Sequence, residues 1–295
     1  MKRFGLSVCV VLLSACLANA QLLWEISGNG LSKKSYLFGT HHLVSVDFLD
    51  SIPGIYKAFD ACRTVVGEVV VNDPTMLKRI TDGARMPTHT QMRNLFSAAD
   101  YAKVDSALQA VLKMGLSDLA LLKPAMISNL YMLAYYQQLF PRASDDWQLD
   151  SFFQQIAEQK NIPVVGLETV DDQIALLYNS QTLERQAFLL VGMVEQSDRA
   201  ADEMAALNTL YKRGDLDGLL SLYVNDTTKY APTQQEMFGM LDERNDAWAR
   251  QLPKLMSEQP CFVVVGALHL AGENGLVALL RKAGYKVKPV KNGRR

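Results

Sequence analysis

Two eight-residue segments at opposite ends of the 295-residue chain share one pattern. YLFGTHHL (36–43) and VVVGALHL (263–270) each read as three apolar residues, Gly, two variable positions, His, Leu. Three apolar residues closed by a glycine have the character of a short buried strand that ends in a sharp turn. Two further strands echo the pattern with carboxylates: VVGE puts Glu68 directly after Gly67, and VVGLE puts Glu168 two after Gly166. Where strands of an α/β sheet run in the same direction, their carboxyl ends share one edge, and ligands bind at that edge. The pattern predicts a sheet built from both ends of the chain, with His42, His269, Glu68 and Glu168 on a common rim. Three of the chain's four histidines fall in the two copies.

The remaining punctuation agrees with that frame. SGNGLSKK between Leu22–Ile26 and Ser35–Phe38 is turn chemistry, so these runs form a hairpin. TVVGEVVV (64–71) and IPVVGLET (162–169) read as buried strands, and CFVVVGALHL and YKVKPV supply the last two. Between them the periodicity is helical. Ser97 with Asp100 resembles a capping box, Gly115 fits the stop of that helix, and Pro124 fits the first turn of the next, through Leu139. WQLDSFFQQIAEQKN is amphipathic, and the helical run from Asp171 to Glu258 breaks near Gly214-Asp215 and Asn225-Asp226. The expected fold is a single α/β domain: a mixed β-sheet built from both ends of the chain, flanked by helices and carrying large helical insertions. No repeat of 20–50 residues is visible.

At 49% hydrophobic residues a chain of this length can bury a large core. A formal charge of −1 leaves no phosphate-binding footprint, so nucleic acid is not an expected partner, and the basic residues 291–295 read as a solvated tail. Lys2-Arg3, the apolar run from Phe4 to Leu13 and Ala18-Asn19-Ala20 have the form of a secretory signal over residues 1–20, which leaves a mature domain at 21–295. Leu13-Ser14-Ala15-Cys16 also matches a lipobox, which would lipidate Cys16 instead. Either route implies a periplasmic or secreted protein, and no second stretch is long and apolar enough to span a bilayer. The mature chain keeps Cys62 and Cys261. In an oxidising compartment the pair invites a disulfide across the sheet edge opposite the rim, and two buried thiols are the alternative.

Two imidazoles with one or two carboxylates can hold a divalent transition metal and leave a position open for water, which the metal would acidify. A metal-free form would use a histidine as general base oriented by a glutamate. A protein that sequesters a peptide or glycan without turnover is the reading from another class.

The segments LLWEISGNGLSKKSYLFGTHHL, VVGE, IPVVGLETVDDQ, Arg244-Asn245 and CFVVVGALHLAGENGLVALLRKAGYKVKPV resemble the TraB/GumN family, related to the TIKI metalloproteases, over essentially the whole mature chain. The resemblance implies a mixed α/β fold and a divalent-metal-dependent peptidase acting on a peptide or protein, with manganese or cobalt as the ion. Zinc is the other ion that such a donor set accepts. Carried over residue by residue, the metal-binding positions fall on His42, His269 and Glu68, with Glu68 alternatively the base that activates water. The further polar positions fall on His41, Glu168, Gln173, Arg244 and Asn245, and Arg244 would stabilise developing negative charge. His89, beside Pro87, reads as plain surface; NLYMLAYYQQLF reads as helical core; Glu273 reads as a first-turn carboxylate favoured by the helix dipole.

Overall fold

Gly28, Asn29 and Gly30 adopt φ of 78°, 46° and 82°. These left-handed values are open to Gly and Asn at little cost, and they reverse the chain between β1 (Leu23–Ser27) and β2 (Ser35–Thr40). The two strands pair antiparallel with Leu23 opposite Phe38. A computed structural model describes residues 22–141 and 148–291. The signal-peptide and lipobox readings, with Cys9 and Cys16, lie outside the described residues, as do residues 292–295.

Four further strands complete a six-stranded sheet: β3 (Thr64–Gly67), β4 (Val164–Gly166), β5 (Cys261–Gly266) and β6 (Lys286–Pro289), in the order β4-β3-β5-β2-β1-β6. β2, β5, β3 and β4 are mutually parallel, and β1 runs against β2 and β6. The four strands with a glycine-terminated pattern therefore end at one edge, as the spacing predicts. β3 is shorter than TVVGEVVV suggests, because the chain leaves the sheet at Glu68.

Side-chain alternation divides the core between the two faces of the sheet. On one face Phe38, Phe59, Phe153 and Phe262 form an aromatic knot, with ring centroids 4.7 Å apart for Phe153 and Phe262 and 5.3 Å for Phe59 and Phe153. On the other, Leu37, Val263 and Val265 pack under Trp248 and Leu252 of helix Glu243–Glu258 and under Leu276 and Leu280 of helix Leu276–Lys282. Helices Ala98–Leu112, Pro124–Leu139 and Leu183–Glu195 bury their own cluster around Leu108, Ile127 and Leu190. Pro124 opens its helix as expected, and Ser97 caps the one before by accepting from Asp100 N–H. Gly115 is not the stop of that helix: Lys113 takes the left-handed position at φ 60°.

The expected disulfide is corrected by the structure. Cys62 and Cys261 are buried free thiols. β3 and β5 are parallel neighbours, with Thr64 opposite Cys261. However, Cys62 is not in the strand. It sits in the turn after helix Ile55–Asp60, its N–H on Phe59 O, and its side chain joins the aromatic face while Cys261 joins the opposite one. Each thiol donates to a nearby carbonyl at 3.3 Å, Cys62 to Ala58 and Cys261 to Gln259. Burial pushes the two thiols up to about 12 and about 11. Among the described residues no helix is long and apolar enough to cross a membrane.

Candidate active site

At the ends of β3 and β4 two more backbone bonds hold the departing chains together. Leu167 N–H donates to Gly67 O at 2.9 Å and Glu168 N–H to Glu68 O at 2.8 Å, so the two glutamates are carried to one place. Directly after Glu168, Thr169 and Asp172 exchange reciprocal capping bonds and start a short helix that brings Gln173 inward.

Arg244, in the first turn of helix Glu243–Glu258, ties this group together and its side chain is only 12% exposed. A guanidinium has five N–H groups, and all five are used. Nε donates to Glu168 Oε1 at 2.7 Å, and Nη2 donates to Glu168 Oε2 at 3.0 Å and Glu68 Oε2 at 2.7 Å. Nη1 donates to Met240 O at 3.2 Å and meets His269 Nε2 at 3.0 Å. Trp248, stacked under the guanidinium, donates its indole N–H to Glu168 Oε1 at 3.0 Å.

The tautomer of His269 follows from its neighbours. Asn245 donates to Asn274 O at 2.9 Å, which turns its Oδ1 toward His269 Nδ1 at 2.8 Å. His269 therefore carries its proton on Nδ1 and accepts from Arg244 at Nε2. Burial pushes its pKa down to about 4, so the ring is neutral at physiological pH. Glu68 accepts Gly266 N–H on Oε1 at 2.8 Å and Gln173 on Oε2 at 3.3 Å. Burial alone would raise its carboxyl, but the Arg244 guanidinium and the Gly266 N–H outweigh that and hold it below the ordinary range.

His42 belongs to a second unit. Its Nδ1 donates to Asp150 Oδ2 at 2.5 Å, and Asp150 Oδ1 takes the hydroxyl of Thr40. Asp150 lies in the first turn of helix Leu149–Gln159. The His42 side chain is 65% exposed, yet the Asp150 carboxylate raises its pKa to about 9. His41 turns elsewhere: its Nδ1 accepts Leu43 N–H at 3.2 Å and its ring meets Tyr211 edge-on, 5.3 Å between centroids. His42, Glu68, Arg244 and His269 line one cleft of ≈ 550 Å³, and His41 lines it too.

Of the residues singled out from sequence, Glu68, Glu168, Gln173, Arg244, Asn245 and His269 are joined in one hydrogen-bonded network, and His42 lines the same cleft from the turn after β2. Asp150, Thr40 and Trp248 complete the geometry and were not singled out. Asp150 had one local signal, an acidic residue opening an amphipathic segment, which reads by default as a helix-dipole carboxylate.

Donor chemistry tests whether this set suits a metal. Among the described residues, no group of three or more His, Cys, Asp and Glu side chains is gathered for a metal ion. Arg244 occupies His269 Nε2 and Glu68 Oε2, and a cation of fixed charge stands where the ion's positive charge would go. His42, Glu68 and His269 do not fit a ligand set in this arrangement. Nor does Arg244 keep a free N–H for an oxyanion.

The fold and rim define an α/β protein with a buried Arg–Glu–Glu–His network beside a His–Asp pair. A model of the TraB/PrgY/gumN family matches residues 22–289, and the chain belongs to that family. Curated relatives are distant. The chain is similar to Metalloprotease TIKI1 of Danio rerio (23% identical, 90% of this chain and 62% of the relative) and to Metalloprotease TIKI2 of the same fish (24%, 90% and 60%). It is also similar to Metalloprotease TIKI1 of Xenopus tropicalis (22%, 92% and 62%). The chain thus spans about three-fifths of the length of these relatives. No solved structure matches.

Proposed function

We propose that this chain is an exported hydrolase of peptide bonds in which Glu68 serves as base and His42 as acid. One observation carries the reading. Glu68, with its carboxyl held below the ordinary range, and His42, with its imidazole held up to about 9 by Asp150, line the same cleft. At neutral pH Glu68 is ionised and His42 is protonated, which are the charge states that a general base and a general acid need. Glu68 takes a proton from water as the water oxygen bonds to the scissile carbonyl carbon. The C–N bond then breaks while His42 Nε2–H protonates the leaving nitrogen, and the proton on Glu68 resets His42 through solvent. Arg244 and His269 are positioning residues: they fix Glu68 and exclude water from its far side. Support for peptides as substrate comes from the protease names of the relatives, and support for export from residues 1–20.

Turnover of a peptide library by protein freed of metal tests this. Glu68→Gln and His42→Gln should each lower kcat/KM by about 10²–10⁴-fold, the usual contribution of a general acid or base, and a chelator should have no effect. The word metalloprotease in the relatives' names favours a second reading, in which His42, Glu68 and His269 would hold a divalent ion that would supply an acidified water. Activity lost on chelation and restored by manganese or cobalt would establish that reading instead. Peptide binding with no product would leave a binding protein.

A further inference from the structure

His42 and Glu68 line two cavities, and among the described residues they are the only ones that the two share. The larger, ≈ 550 Å³, has an apolar wall that includes Met204, Leu207 and Leu222. The smaller, ≈ 220 Å³, has one that includes Ile80, Ile174 and Leu177. The acid and base of the proposed reaction therefore stand between two adjoining cavities, each with an apolar wall.

A second observation is independent of cavity shape. Each cavity is bordered by a π-helical turn, Ala175–Asn179 at the smaller through Leu177 and Tyr178, and Phe238–Asp242 at the larger through Met240 and Leu241. Such turns are rare and gather at functional sites.

Charge supplies the third. The smaller cavity has no Lys or Arg among its described lining residues, and its Asp150 is paired with His42. In the larger, Arg244 has no N–H to spare, and Glu203 and Asp226 both face Arg199. Among the described lining residues of these two cavities a terminal carboxylate finds no unpaired cation and a terminal amine no unpaired carboxylate. The larger cavity also shares Tyr223, Leu241 and Leu268 with a third of ≈ 780 Å³.

We infer that the substrate is an extended internal segment of a peptide, crossing the His42–Glu68 pair with apolar side chains on both sides of the cleaved bond, so that the protein cuts within chains and does not trim their ends. This rests on the hydrolase reading above for the cleavage, and on the shared cavities alone for the path of the chain.

Two measurements separate those supports. First, acetylated and amidated peptides are digested beside free-ended ones, and the cut positions are read by mass spectrometry. Internal cuts in the blocked peptides, flanked on both sides by apolar residues, are expected. Leu177→Asp should weaken the apolar preference on one flank and Met204→Asp on the other. Second, Leu177→Cys and Met204→Cys are each placed in the Glu68→Gln background and labelled with a thiol reagent, with sites resolved by peptide mapping. A blocked apolar decapeptide at about ten times its Kd should slow labelling at both positions roughly tenfold, by mass action. Cleavage confined to free-ended peptides, or protection of only one cysteine, overturns the inference while hydrolysis stands. Protection of both without any turnover upholds the path of the chain and removes the hydrolase reading.

Discussion

Asp150 sets the protonation of His42, and its effect can be isolated. Its carboxylate is the largest cause of the rise to about 9, so the acid form of His42, and with it kcat/KM, should decline above about pH 9. Asp150→Asn removes the charge and keeps the shape. The alkaline limb should then move down toward the ordinary histidine value of about 6.5, and a limb that stays near 9 would remove His42 from the acid role. Arg244 makes a different prediction. Its removal strands two carboxylates that are 18% and 12% exposed, and breaking a buried pair from one side costs about 3–5 kcal/mol. Arg244→Ala should lose that in urea unfolding at neutral pH, and acid should narrow the gap as the stranded carboxylates protonate. The glutamates and His269 were legible in the sequence because each lies within three residues of a glycine-ended strand. Asp150 was not, because its partner lies 108 residues away in sequence and only the fold joins them.

At the scale of elements, the two Gly-x-x-His copies look alike in sequence but their glycines do different work. A Cβ on Gly39 would stand 3.0 Å from the Ala267 backbone and 3.1 Å from Leu270, so β2 and the turn that follows β5 would have to give by a few tenths of an ångström. A Cβ on Gly266 would meet Glu68 at 3.4 Å and His269 at 3.6 Å, ordinary contact distances, and its φ of −55° suits any residue. Gly39→Ala should therefore destabilise by about 1–3 kcal/mol, as overpacking does. Gly266→Ala should be neutral or stabilising by up to about 1 kcal/mol. Urea midpoints of the two variants decide it, and equal losses would refute the distinction. Pattern matching could find both glycines but could not rank them, since the ranking depends on what packs opposite. The cysteine pair failed for a related reason. The apolar runs marked the strands but not their order or register, and the inference extended β3 back through Cys62, where the chain is still leaving a helix and the side chain faces the other layer.

For the whole molecule, the two histidines of the site pull stability in opposite directions with pH. His269 is held neutral down to about 4, whereas in the unfolded chain a histidine takes up its proton near 6.5. Between those values the unfolded state binds more protons, so stability must fall as pH falls from about 6.5 to about 4. Glu68 and Asp150, both held below the ordinary carboxylate range, and Glu236, held to about 2 by Arg185, add further loss as acid protonates them. His42 has the reverse sign. Its raised pKa contributes stability that is complete below about 6.5 and is lost as pH rises through about 9. Because 65% of that side chain faces solvent, screening weakens its share. Stability should therefore peak near pH 6.5 and fall more steeply on the acid side than on the alkaline side. His269→Gln, which can still accept from Arg244 and donate to Asn245, should flatten the slope between about pH 4 and 6.5 and leave the alkaline side unchanged. His42→Gln should do the opposite. Urea midpoints measured from pH 4 to 9.5 on the three proteins test the assignment, and a wild-type curve that is level from pH 4 to 6.5 would mean that His269 is not the buried neutral ring described above.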